Sequence, residues 1–178
     1  MALKATIFKA RLQIADMDRG YYAEHALTLA RHPSETDERM MVRLLAFALN
    51  ASDTLEFTRG LSSDDEADLW QHSLGGEIEH WIEVGVPAED RVRKASGRAQ
   101  QVTLYAYGQR TAPVWWQKLE NAAQRYRNLR VFFLPPEACD GLAALAARSM
   151  DLNVTIQDGQ VWFASDDQSV ELQPQVWK

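Results

Sequence analysis

The residues able to do chemistry cluster between positions 64 and 98. Asp64, Asp65, Glu66 and Asp68 crowd one short segment, Glu79 and Glu83 follow on an alternating stretch, and Arg91, Lys94 and Arg98 then recur at helical spacing. Carboxylates of this kind bind hard divalent cations through oxygen, and neighbouring cations bind phosphate. The charge division is sharp. Residues 61–90 carry nine acidic side chains and no Lys or Arg, whereas residues 91–130 carry nine basic ones against Glu120 alone. The net charge of −6 conceals this division. Because electrostatic fields act locally, a basic helix beside an acidic pocket is compatible with a phosphodiester held at a metal.

The elements that must position these groups are legible around them. Glu79, Trp81 and Glu83 alternate with His80, Ile82 and Val84, the period of a strand. Gly85 and Pro87 stop it, and from Ala88 the spacing becomes helical, with Val92, Ala95 and Ala99 on one stripe and the cations on the next. Upstream, Ser34 or Thr36 can cap a helix whose acids Glu35, Asp37 and Glu38 fall in the first turn and whose buried stripe is Met41, Leu44, Leu45 and Ala48. Its spacing places Glu38 along the buried side. Residues 54–58 read as a short strand, and 67–73 as either a helical turn or a strand.

Farther out, Phe8, Ala10, Leu12 and Ile14 mark a half-buried strand, and residues 21–31 a partner for it. Strands are expected over 102–107 and 131–134, with an amphipathic helix from Pro113 between them and another over 137–150. The chain then reads as a meander over 153–157, 160–164 and 170–172, turning at Asp158-Gly159. The expected fold is α/β, a mixed sheet flanked by helices with antiparallel strands added at both ends, in a single domain over 1–178. The single Cys139 excludes an intramolecular disulfide and a cysteine zinc cluster. With no signal-peptide core and no apolar run of about 20 residues, the expectation is a cytoplasmic chain with no membrane contact.

The order helix, strand, acidic segment, strand ending in a carboxylate, helix, strand resembles the core of the PD-(D/E)xK nuclease superfamily. That resemblance implies Mg²⁺ or Mn²⁺ held by Glu83 with Asp65 or Asp68, and a support role for Glu38. The Lys of that pattern is absent, since position 85 is Gly, and Lys94 on the following helix is its substitute. Arg91 and Arg98 would contact phosphate. The segments MALKATIFKA, LTLARHPSETDERMMVRLLAF, LEFTRGL with DDE behind it, WIEVGVP with RKA, and TIQDGQVW resemble the YaeQ family over essentially the whole chain. The family implies a nuclease-like fold and says much less about activity.

Two functions compete on these residues. One is a metal-dependent phosphodiesterase acting on nucleic acid, with Glu83, Lys94 and Glu38 as its working groups. The other keeps the fold without the chemistry, as a scaffold for a protein or nucleic-acid partner. Plainer readings also stand: Glu79 and Glu83 as solvent-facing strand residues, the acids of 64–68 as a solvated loop, and the cations as an exposed helix face. Trp115, Trp116 and Tyr126 with Arg125, Arg127 and Arg130 offer either a stacking surface for single strands or a core face with a basic exterior. The histidines have no metal-ligand spacing, and His80 is expected in the core.

Overall fold

Phe8, Ala10, Leu12 and Ile14 are all buried and their neighbours Lys9, Arg11 and Gln13 exposed, so β1 (Thr6–Asp16) has the half-buried character its alternation requires. The structure, a computed structural model, describes residues 4–58 and 65–178. β1 pairs antiparallel with β2 (Tyr21–Arg31) across a tight turn. Then follow α1 (Asp37–Asn50), β3 (Leu55–Phe57), β4 (Leu69–His72), β5 (Ile78–Val84), α2 (Glu89–Arg98), β6 (Ala99–Ala106), α3 (Thr111–Ala123) and β7 (Leu129–Phe133). The chain ends with α4 (Pro136–Ala144), β8 (Ser149–Gln157), β9 (Gln160–Ala164), β10 (Ser169–Leu172) and β11 (Gln175–Val176).

These strands form two mixed sheets. One has the order β10-β9-β8-β1-β2, the other β11-β7-β6-β5-β4-β3. A single sheet extended at both ends was expected, and this is the main correction to the fold. The end strands pair with each other instead, because β1 and β8 run parallel with Lys9 opposite Ser149 and Asp16 opposite Ile156. The helix expected over 137–150 stops at Ala144 for the same reason. Met150, Leu152, Val154 and Ile156 alternate inward, and the Lys9 amide already bonds the Arg148 carbonyl at 2.9 Å. The ambiguous residues 67–73 resolve into strand β4, which pairs with both β3 and β5.

The six-stranded sheet is covered on both faces. On one, Trp81, Val102, Leu104 and Val131 pack with Val92 and Ala95 of α2 and Leu119 and Ala123 of α3. On the other, Leu69, Ile82, Val84 and Tyr105 join α1, α4 and the inner face of the five-stranded sheet in one apolar core. α1 is apolar almost all round from Met40 to Ala48, as a helix between two layers must be. Double coverage also explains why β5 and β6 read as near-continuous buried runs.

Candidate functional site

The site forms where β5 ends. In the antiparallel register of β4 with β5, Leu69 lies opposite Ile82 and Trp70 opposite Trp81. Asp68 comes just before β4 and lies near enough to Glu83 for the two charges to act on each other. The ladder slips by one residue there, since the Asp68 amide donates to the Ile82 carbonyl at 3.0 Å. Both carboxylates are only 4% exposed. Neighbouring like charges repel, and their burial is tolerated only because donors converge on them.

Asp68 is held at both oxygens. Arg39 of α1 donates to Oδ1 at 2.7 Å and the Val84 backbone amide to Oδ2 at 2.8 Å. Three donors meet at Oε1 of Glu83: Trp81 Nε1 at 2.8 Å, and Arg91 through Nε at 2.9 Å and Nη2 at 2.7 Å. Oε2 has no hydrogen-bond partner among the described residues. Arg91 arrives by a sharp reversal. Gly85 adopts φ 101°, open to glycine at little cost, and four residues later α2 begins and turns its first-turn arginine back over the strand end.

Behind this pair lies a second buried ion cluster. Glu35 accepts from Arg39 at 2.7 Å and from both Nε and Nη2 of Arg43, at 2.9 and 2.6 Å. Arg39 therefore bridges Glu35 and Asp68. Burial works against its charge, but the two carboxylates outweigh that and raise its pKa. Glu83 is pushed the other way for an acid: burial, then the neighbouring Asp68, lift its carboxyl to about 7 despite Arg91 and Trp81.

Of the residues singled out in the sequence, Asp68, Glu83 and Arg91 meet here. Lys94, one turn along α2, pairs instead with the exposed carboxylate of Asp65, whose pKa it lowers through their hydrogen bond. Arg98 donates to the Asp65 carbonyl at 2.7 Å and lies over the Trp81 ring at 5.1 Å. Glu38 faces α4, where burial and then Asp140 raise its pKa. Asp64 lies outside the described residues. Arg91 therefore stands at the carboxylate where Lys94 was expected.

Arg39, Glu35 and Trp81 were not anticipated as parts of the site. A signal existed for the first two: Glu35 just before α1 and Arg39 and Arg43 on it fall at successive intervals of four, and Arg43 sits among the buried residues of the helix, where a charge must pair. The aromatic cluster of α3 is mostly turned inward. Trp115 donates to the Pro87 carbonyl at 2.6 Å, and Trp116 stacks on Trp177 at 5.8 Å.

Among the described residues no group of three or more His, Cys, Asp or Glu side chains is close enough to hold a metal. Mg²⁺ and Mn²⁺ need less, since one or two carboxylates with several retained waters suffice for Mg²⁺. Asp68 and Glu83, whose Oε2 accepts from none of the described residues, fit that donor set.

Fold and site together define an α/β protein of two mixed sheets with a buried, arginine-flanked carboxylate pair at a strand end. The chain belongs to the YaeQ family, whose pattern matches residues 1–174. It is 45% identical over 178 residues to "Uncharacterized protein YaeQ" of Escherichia coli (strain K12), an alignment covering 100% of this chain and 98% of the relative. The Salmonella typhi protein of the same description is 46% identical over the same shares. Among solved structures, YaeQ from Xanthomonas axonopodis pv. citri superposes with a TM-score of 0.95 at 55% identity, covering 98% of each chain. YaeQ from Pseudomonas syringae gives 0.93 at 40%, covering 98% of this chain and 96% of that one. No described helix is long and apolar enough to cross a membrane.

Proposed function

We propose that the chain is a metal-dependent phosphodiesterase acting on nucleic acid, built on a PD-(D/E)xK-like core. The observation that carries this reading is the closeness of Asp68 and Glu83 at the end of β5, with Arg91 bonded to Glu83 and partly open to solvent. Asp68 and Glu83 would hold Mg²⁺ or Mn²⁺. Such an ion supplies positive charge to a phosphoryl oxygen and acidifies bound water.

The chain's own residues prepare that step. Arg39 holds Asp68 oriented from a helix fixed in the core. The Val84 amide and Trp81 Nε1 fix one oxygen of each carboxylate, so neither side chain must be ordered when a ligand arrives. Arg91 has a planar fork suited to a phosphate beside Glu83. Lys94 and Arg98, held along the same helix through Asp65, extend the positive surface along which a phosphate chain could lie. Glu38, turned towards α4 and Asp140, stands outside this ligand set.

A second reading rests on Arg39 and Arg91 themselves, which already neutralise both carboxylates. On it the site is a structural ion network inside a scaffold that binds a partner. The two separate in one assay: cleavage of labelled single- and double-stranded DNA and RNA with Mg²⁺ or Mn²⁺, the wild type beside an identically purified Glu83→Gln. Metal-dependent cleavage that Glu83→Gln abolishes supports the enzyme. Absence of cleavage on all four substrates, or equal cleavage by both proteins, removes it in favour of the scaffold.

A further inference from the structure

The six-stranded sheet has a second polar surface, on the face away from α2 and α3. Gln71 lies opposite His80, His80 opposite Gln101, and Thr103 opposite Arg130, so neighbouring strands present these side chains together. They floor a cavity of about 590 Å³ between the two sheets, roofed by the turn after β1, by Gly159 and by Pro174. Glu83 and Trp81 project from the opposite face of β5, so the sheet itself separates this cavity from the carboxylate pair. The volume is of the size that takes a small organic ligand.

The chemistry of the lining narrows what that ligand is. Tyr105 and Phe132 stack at 5.5 Å and supply an aromatic wall. The floor is polar but neutral. His80 bonds Thr103 Oγ1 at 2.7 Å, and burial drops its pKa to about 4, so the imidazole is uncharged near neutral pH. The Tyr105 hydroxyl accepts from Asn50 at 2.8 Å and keeps its own proton to donate.

The charges of the lining are unequally satisfied. Asp16 is paired with Arg19 at 2.6 Å, and Asp18 accepts the amides of Asp158 and Gly159 at 2.7 and 2.9 Å. Arg130 is exposed at the rim and has no hydrogen-bond or ion-pair partner among the described residues, and neither has the side-chain amide of Gln101. A guanidinium left over beside an aromatic wall and neutral donors calls for an anionic group carried on a planar, hydrogen-bonding ring.

We propose that this cavity binds a small molecule of the mononucleotide class, its heterocycle against Phe132 and the neutral floor and its phosphate at Arg130. The site is independent of the phosphodiesterase reading and stands whether or not the chain cleaves nucleic acid. The test is calorimetric titration of the full chain with adenosine 5′-monophosphate, uridine 5′-monophosphate and inorganic phosphate. At least one nucleotide binds at one per chain, and Arg130→Ala weakens it about tenfold or more, as loss of a charge-assisted contact requires. Gln101→Trp, which fills the cavity from an exposed floor position, abolishes binding while circular dichroism reports an intact fold. Three results would overturn the proposal: no saturable binding of either nucleotide, phosphate alone binding as tightly as the nucleotides, or affinity unchanged in both folded variants.

Discussion

Glu83 is where burial, charge and function pull hardest against one another. In the metal-free protein the folded chain keeps a proton on this carboxyl up to about pH 7, whereas the unfolded chain releases it near the usual 4.5. Between those values the folded state binds more protons, so this residue's contribution to stability falls as pH rises. Glu83→Gln removes the titration, and its amide oxygen still accepts from Trp81 and Arg91. Measured by urea unfolding with chelator present, the variant gains on the wild type by roughly 1–3 kcal/mol between about pH 5 and pH 8. A pH-independent difference would mean that Glu83 is ionised throughout. Arg43 poses the opposite case. It and Glu35 are both 2% exposed on their side chains, so Arg43→Ala leaves a buried carboxylate leaning on Arg39 alone. That variant should lose about 3–5 kcal/mol in the same assay, and a loss under about 1 kcal/mol would contradict the pairing.

At the level of elements, the site depends on α1 entering at a fixed angle, because Arg39 must reach Asp68 from its first turn. The Thr36 hydroxyl sets that start by accepting the Arg39 amide at 3.1 Å. Thr36→Ala should cost about 1 kcal/mol of unfolding free energy. The helix α4 is held as closely: a Cβ placed on Gly141 would stand 3.0 Å from a methyl of Val170 on β10. Gly141→Ala should therefore lower the urea midpoint even though alanine favours helix, and an unchanged or raised midpoint would show that α4 can shift away.

Elements were legible where period and breakers agreed. Gly85 and Pro87 separated β5 from α2, and the Asp158-Gly159 turn, with φ 53° and 76°, separated β8 from β9. The C-terminal part of 137–150 was misread because Leu145, Ala146 and Ser149 satisfy a helical stripe, while the partner that makes residues 149–157 a strand is β1, about 140 residues away. β11 is two residues long and carries no period at all.

For the whole molecule, the same long-range pairing decides the architecture. Local patterning showed strands at both ends of the chain but not that they would join as β1 and β8 into a sheet of their own, since register between distant strands leaves no mark on either sequence. The site was half legible for a related reason. Glu83 was legible as the carboxylate at the strand end, but the cation expected beside it was Lys94, and it is Arg91 that reaches back across the turn. The choice among the acids of 64–68, the arrival of Arg39 and the diversion of Lys94 to Asp65 depend on how β4 and α1 dock. The core beneath the five-stranded sheet also includes residues of the six-stranded one, so the two layers share their stabilisation. Unfolding followed by tryptophan fluorescence and by far-ultraviolet circular dichroism should give coincident transitions, and two separated midpoints would contradict a shared core.

On the proposed function, Asp68 and Glu83 form one divalent-cation site. Its most direct test is Mn²⁺ binding followed by electron paramagnetic resonance of the free ion, on the wild type and on Asp68→Asn and Glu83→Gln shown to be folded. One Mn²⁺ should bind per wild-type chain and be displaced by excess Mg²⁺, with an affinity loss of about tenfold or more in each variant. Wild-type protein that binds no Mn²⁺, or variants that bind it as well as the wild type, would contradict it and leave Arg39 and Arg91 as the only cations these carboxylates hold.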